Sequence, residues 1–270
     1  MCTISGKLYK DQVSLAGLGP VEVTLGSIEK QTTNFDQFKE IDGVMGFTGG
    51  ESKNVFASLV SGGACDNVWS ICMNQGNTSN GTLTVGGVDH RLHVDDIQYV
   101  PDAGLGFHSV KVEALQIVGA GGANSTTASV SVDEAAILDT GTNVLLLPTD
   151  TLQAVQGPIC TGSIADKCTE LFDGKCMPLT DDEIQAFPAL ELSLDNNVTL
   201  HMSSYDYLLT GSPQAASQDD VCLGLRDGGS AGGSGFIIGD TTMRNYYLVF
   251  DLEEKKIGWG PVNRDVCGNI

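Results

Sequence analysis

A mostly β protein in two parts is what this sequence predicts, on three observations. Short β-prone runs recur along the whole chain, Gly, Asn and Asp punctuate them, and helix signals are few and short. The runs are KLYKDQVSL (7–15), PVEVTLGSI (20–28), NVWSICM (67–73), GTLTVGGV (81–88), IQYVP (97–101), HSVKVEALQIVG (108–119), ASVSVDEAAIL (128–138), ALELSLDNNVTLHM (189–202) and YYLVFDLEEKKIGWG (246–260). Most alternate apolar with polar residues, as a strand with one buried face does. Two segments read as helices. PTDTLQAVQG is opened by Pro148 and closed by Gly157, and LTDDEIQAFP carries a Thr180/Glu183 capping box with Pro188 as its stop. Two stretches of small residues, 118–129 and 226–235, read as hairpin connections. A composition break near Pro101 divides the chain into residues 1–100 and 101–270.

Composition narrows the function classes. With 41% apolar residues among 270, the chain can bury a large core. Its formal charge of −20, from 14 Lys+Arg against 34 Asp+Glu, repels phosphate backbones and anionic lipid, so nucleic acid is not an expected partner. An acidic compartment would relieve that self-repulsion by protonating carboxylates. The longest apolar runs are about five residues, far short of the ~20 that span a bilayer, so no membrane segment is expected.

Cysteine usage points to an oxidising compartment. Eight cysteines, at 2, 65, 72, 160, 168, 176, 222 and 267, include no C-x-x-C pair, which favours disulfides over zinc. Cys160 and Cys168 are close enough in sequence to bridge one loop. Four N-x-S/T sequons, at Asn77, Asn80, Asn124 and Asn197, lie in polar stretches and suggest a secretory route. The opening MCTISGKLYKDQVSL lacks the basic start and apolar core of a signal peptide, which conflicts with both features.

The chemistry concentrates in AAILDTGTNVLLLPTD, residues 135–150. AAIL and NVLLLP read as buried strands flanking one carboxylate, Asp139. Gly141 permits a tight turn, and Thr140 and Thr142 supply hydroxyls. A carboxylate between buried strands must be hydrogen-bonded by that turn or kept uncharged. Read alone, the triplet fits a structural turn cap as well as an active site. Elsewhere, GGSAG at 228–232 matches G-x-S-x-G, but it sits in a glycine-rich loop instead of between a strand and a helix, so it reads as a linker. His90 and His93 in HRLH read as solvated, with no third ligand nearby, and His108 and His201 look isolated. No metal site is expected.

ILDTGTNVLLLPTDTLQAVQ (137–156) resembles the C-lobe active-site segment of pepsin-like aspartic proteases, and GFIIGDTTMRNYYLVFDLEEKKIGWGPV (235–262) resembles their C-terminal segment. IDGVMGF (41–47), GGVDHRLHVDDIQYVP (86–101) and FPALELSLDNNVTLHMSSYDYLL (187–209) follow in the family's order, so the resemblance covers essentially the whole chain. It implies an all-β, bilobal fold with residues 1–100 as part of an N-lobe and 101–270 as a nearly complete C-lobe. It also implies an aspartic endopeptidase acting on protein or peptide substrates, without metal or organic cofactor, monomeric at full length and active at acidic pH. By the same resemblance Asp139 is catalytic and Thr140 braces paired loops. Thr142 hydrogen-bonds the Asp139 carboxylate, and Gly46 and Gly239 belong to equivalent apolar-apolar-glycine loops. Asp240 is a structural residue, and Cys176 pairs with Cys222. The location implied is the secretory pathway, extracellular or vacuolar/lysosomal.

Such a protease needs two aspartates, one protonated while the other activates a shared water, and this chain has a single D-T-G. Residues 3–14 resemble the family's descending flap strand, which would put the first D-T-G before residue 1. Three accounts follow: a truncated protease, inactive as this chain alone; a non-catalytic binding or inhibitor-type module; or a dimer in which each chain contributes Asp139. Truncation is the account expected here.

Overall fold

Strands dominate the computed structural model, which describes residues 3–31, 42–48, 54–74, 80–119, 126–212, 214–229 and 235–269. In chain order they are β1 (Ile4–Leu15), β2 (Leu18–Gln31), β3 (Val68–Met73), β4 (Gly81–Val85), β5 (Gln98–Pro101), β6 (Ser109–Val118), β7 (Thr126–Leu138), β8 (Leu145–Leu147), β9 (Met177–Pro178), β10 (Ala189–Leu194), β11 (Thr199–Met202), β12 (Leu208–Thr210), β13 (Asp220–Leu223), β14 (Leu225–Asp227), β15 (Ile237–Ile238), β16 (Tyr246–Asp251) and β17 (Lys256–Pro261). The α-helices are α1 (Val55–Ser61), α2 (Thr149–Ile159), α3 (Ala165–Phe172), α4 (Asp181–Ala186), α5 (Ser204–Tyr207) and α6 (Asp240–Met243).

β1 and β2 form a hairpin of their own, turned by Ala16 and Gly17, both at positive φ as a two-residue hairpin turn requires. It packs Val23 against Val55 and Leu59 of α1, whose first turn is capped by the Asn54 side chain.

A seven-stranded sheet, ordered β11-β10-β6-β7-β15-β8-β14, carries the main core. Period-2 patterning explains it: Leu190, Leu192 and Leu194 of β10 are buried in alternation, as are Val110 and Val112 and then Leu115 and Ile117 of β6. The change of phase within β6 falls where its register with β7 slips between Val112 and Ala114, a bulge that keeps both apolar pairs facing inward. Each such side chain contributes about 1.5–3 kcal/mol by leaving water.

A five-stranded sheet, β4-β3-β16-β17-β5, interleaves two distant parts of the chain. Residues 68–101 supply β3, β4 and β5, and residues 246–261 supply the central pair. Trp69 lies opposite Phe250 across β3 and β16, with the rings stacked at 4.0 Å. Cys72–Cys267 ties β3 to the segment that follows β17, Cys176–Cys222 joins the residue before β9 to β13, and Cys160–Cys168 joins the end of α2 to α3. Cys65 is a free, half-buried thiol.

Two sequence expectations need correction. α2 does not close at Gly157 but runs through Pro158 to Ile159, because Val155 and Ile159, one turn apart, are both fully buried. Residues 226–235 do not link a hairpin: β14 pairs with β8 in parallel and β15 pairs with β8 antiparallel, so the two lie on opposite sides of β8. Helices α1, α3, α5 and α6 are additional to the two helices expected from the sequence. The capping box of α4 is present, with Thr180 and Glu183 each bonding the other's backbone N–H. Among the described residues no helix is long and apolar enough to cross a membrane.

Candidate active site

Three strands build the site, one long and two short. β7 delivers the chain to Leu138, Asp139–Val144 make the turn, and β8 leads away through Leu145. The two-residue β15 is inserted between them, parallel to β7 (Ile137↔Ile237, Leu138↔Ile238) and antiparallel to β8 (Ile238↔Leu145). Leu138, Leu145 and Ile238 are buried, which anchors the turn from below.

The backbone of Asp139 is held twice, its N–H donating to Ile238 O at 3.1 Å and its carbonyl accepting from Thr142 N–H at 3.1 Å. Both carboxylate oxygens are also taken: Oδ1 accepts from Gly141 N–H at 2.9 Å and Oδ2 from the Thr142 hydroxyl at 2.6 Å. Four hydrogen bonds therefore fix where this half-buried carboxylate points. Thr140, beside it, is exposed.

Gly239 closes the arrangement. A Cβ there would stand 2.1 Å from Thr142 O and 2.4 Å from Val144 O, so only glycine lets β15 approach the turn. The next residue, Asp240, donates its N–H to Thr142 O at 2.8 Å. Burial pushes the Asp240 carboxyl up to about 6; Arg244 opposes the rise and the negative charge of Asp139 adds to it. Its Oδ1 is buried and without a hydrogen-bond partner, as is the hydroxyl of Thr241. The second apolar-apolar-glycine segment differs: Val44 and Met45 are exposed, and a Cβ on Gly46 would meet nothing within 4 Å.

Other sequence candidates are scattered. Asn197 sits exposed in the turn between β10 and β11. Asn80 is exposed but engaged, its Nδ2 donating to Gly268 O at 2.9 Å and its Oδ1 accepting from Asn74 at 3.1 Å. Asn77, Asn124 and Ser230 of the G-x-S-x-G match lie outside the described residues. His108 is not isolated. It is buried against the stacked pair of Trp69 and Phe250, with Nε2 donating to Phe47 O at 2.6 Å, so it ties residues 42–48 to the seven-stranded sheet. Burial lowers its pKa, and the Phe47 bond opposes that. Nothing in the local sequence marks this role, because its partners lie 39 to 142 positions away.

The family model for eukaryotic aspartyl proteases matches residues 1–262. The chain belongs to the eukaryotic aspartyl protease family. It is 25% identical to pepsin A of Sus scrofa over 276 residues, covering 96% of this chain and 64% of that protein. It is also 25% identical to aspartic proteinase 36 of Arabidopsis thaliana (97% of this chain, 55% of that protein) and to gastricsin of Cavia porcellus (95% and 63%). The aspartyl-protease chain described here thus spans less than two thirds of the length of these relatives.

Proposed function

We propose that Asp139 is one member of the aspartate pair of an aspartic endopeptidase, with protein or peptide chains as substrate. The observation that carries this reading is the Asp139 carboxylate, aimed by Gly141 N–H and the Thr142 hydroxyl within the threaded β7–β15–β8 turn. A carboxylate so held can orient a water and accept its proton as the water attacks a peptide carbonyl. A second carboxyl, protonated, polarises that carbonyl, and the proton then reaches the departing amine. Thr142 and Gly239 position Asp139, and Thr140 faces the partner loop. Residues 1–100 and 101–270 are read as two lobes that share the five-stranded sheet. The three disulfides support a secretory destination, extracellular or vacuolar/lysosomal. At full length the protein acts as a monomer.

The 270 residues hold one D-T-G, so this chain alone is expected to cleave little or no protein. The test is hydrolysis of a denatured protein at acidic pH by the complete gene product and by its Asp139→Asn variant. Loss of at least about 10²-fold in rate with the fold retained supports the reading. Unchanged cleavage in the variant overturns it. Absence of cleavage by the complete product favours a binding module, and Asp139-dependent cleavage by residues 1–270 alone favours a dimer.

A further inference from the structure

We propose that His90 and His93 form a chelating site for a divalent transition-metal cation of tetragonal preference, copper(II) or nickel(II). The turn closed by Leu92 N–H donating to Asp89 O at 3.1 Å brings the two rings together, with His90 Nδ1 2.9 Å from His93 Nε2. The sequence alone left both residues as solvated side chains, since i,i+3 spacing in a charged turn does not say whether the rings converge.

The tautomer of His93 follows from its surroundings. Its Nδ1 lies 2.6 Å from the Asp95 carbonyl, which can only accept, so Nδ1 carries the proton and Nε2 presents a bare lone pair. A backbone carbonyl holding the far nitrogen is the arrangement that orients metal-ligating histidines. Without a cation, His90 fills that lone pair by donating Nδ1–H. With one, the His90 proton resides on Nε2, both facing nitrogens are free, and no net proton is released from neutral rings.

The donor set selects the metal. Two imidazole nitrogens already facing each other at hydrogen-bond distance can turn onto one cation as a cis pair, with water oxygens in the other positions. Such a mixed nitrogen and oxygen set suits tetragonal copper(II) or nickel(II), whereas a tetrahedral zinc site is usually completed by three or four protein ligands.

The site is built, not incidental. On either side of His93, Leu92 O accepts from Asn263 N–H at 2.8 Å and Val94 N–H donates to Pro261 O at 3.0 Å. The His93 ring stacks on Tyr247 at 5.7 Å and 9°, and Tyr247 is itself fixed by its hydroxyl to Ser70 at 2.6 Å and to Asp89 N–H at 2.8 Å. Arg91, between the two histidines in sequence, is drawn off by a fork onto Asp89. Both histidines line a cavity of about 780 Å³ together with Asp95, Asp96 and Trp259. Trp259 is 2% exposed, and its indole N–H has no partner. Among the described residues no third ligand converges with the pair, so water fills the remaining positions, with the two carboxylates offsetting the charge.

The test is titration of the full chain, its free thiols alkylated, with nickel(II) and copper(II) at pH 7.5, followed by calorimetry and by copper(II) electron paramagnetic resonance. Expected are one equivalent bound, two-nitrogen hyperfine structure, and zinc binding at least about tenfold weaker. His90→Ala, at an exposed position, should weaken nickel binding at least about tenfold. His93→Phe keeps the stack on Tyr247 and should do the same. Unchanged affinity in both variants, copper spectra without two-nitrogen coupling, or zinc binding as tightly as nickel would overturn the proposal.

Discussion

The carbonyl of Thr142 accepts the backbone N–H of Asp240 at 2.8 Å, which couples the Asp139 turn directly to the start of α6. Thr142 therefore works on both sides: its hydroxyl serves the Asp139 carboxylate and its carbonyl anchors the inserted β15 segment.

Gly239→Ala should damage this junction more than any other small change. The added methyl meets two carbonyl oxygens inside 2.5 Å, and one of them, Thr142 O, cannot retreat without losing the hydrogen bond from Asp240 N–H. A loss of about 3 kcal/mol is expected by thermal or urea unfolding. Gly46→Ala, with open space around its Cβ, should change stability by less than about 0.5 kcal/mol.

Thr142→Val removes the donor to Asp139 Oδ2 and keeps the side-chain shape. Losing a hydrogen bond to a charged group costs about 1.5–3 kcal/mol when buried, and Asp139 is half-buried, so about 1 kcal/mol is expected. Thr142→Ser should restore most of it. Equal unfolding midpoints for the Val variant and the parent protein would contradict this assignment.

Asp240 makes a pH-dependent contribution of definite sign. Its folded value of about 6 lies above the ordinary carboxyl value of 3.8, so between about pH 4 and pH 6 the folded state holds the proton more tightly than the unfolded chain. Its contribution is fully present below pH 4, falls as pH rises through 6, and remains lost above. With solvent screening the amplitude is about 1–2 kcal/mol. Asp240→Asn should therefore gain stability relative to the parent at pH 7 and not at pH 4, read as the difference in urea midpoints.

Glycan occupancy should follow side-chain engagement. Asn197 is exposed in a hairpin turn at φ 60°, whereas the Asn80 amide nitrogen is committed to Gly268 O. Mass spectrometry of the protein expressed through a eukaryotic secretory pathway should find Asn197 occupied and Asn80 largely bare.

Replacing disulfide pairs by serine should rank with the loop each closes. Separations of 8 and 46 residues, for Cys160–Cys168 and Cys176–Cys222, correspond to about 2.5 and about 4 kcal/mol in the chain-entropy account. Urea unfolding of the two double variants measures the order.

Local patterning carried much of this into the sequence. Alternation marked β6, β7 and β10, and the Thr180/Glu183 box marked the start of α4, because each depends on residues a few positions apart. The Asp139 turn was legible for the same reason: Gly141 and Thr142 supply both carboxylate hydrogen bonds from two and three residues away. What stayed hidden depends on distance. β15 is two residues long, too short for any period, and its place between β7 and β8 is set by the close approach at Gly239. The His108–Phe47 bond spans 61 residues and the Cys72–Cys267 bridge 195, and no local propensity encodes either. At α2, burial of Ile159 overrode the stop that Gly157 suggested.

The interleaved five-stranded sheet also sets a schedule. β3, β4 and β5 are complete by residue 101, yet β16 and β17, which fill the middle of their sheet, come from residues 246–261. During synthesis the earlier strands must wait through about 145 further residues with open edges, exposed to wrong pairing. Completion of this sheet is therefore postponed until the hairpin at 246–261 emerges, and a nascent chain halted before residue 246 is left with strands whose central partners do not yet exist.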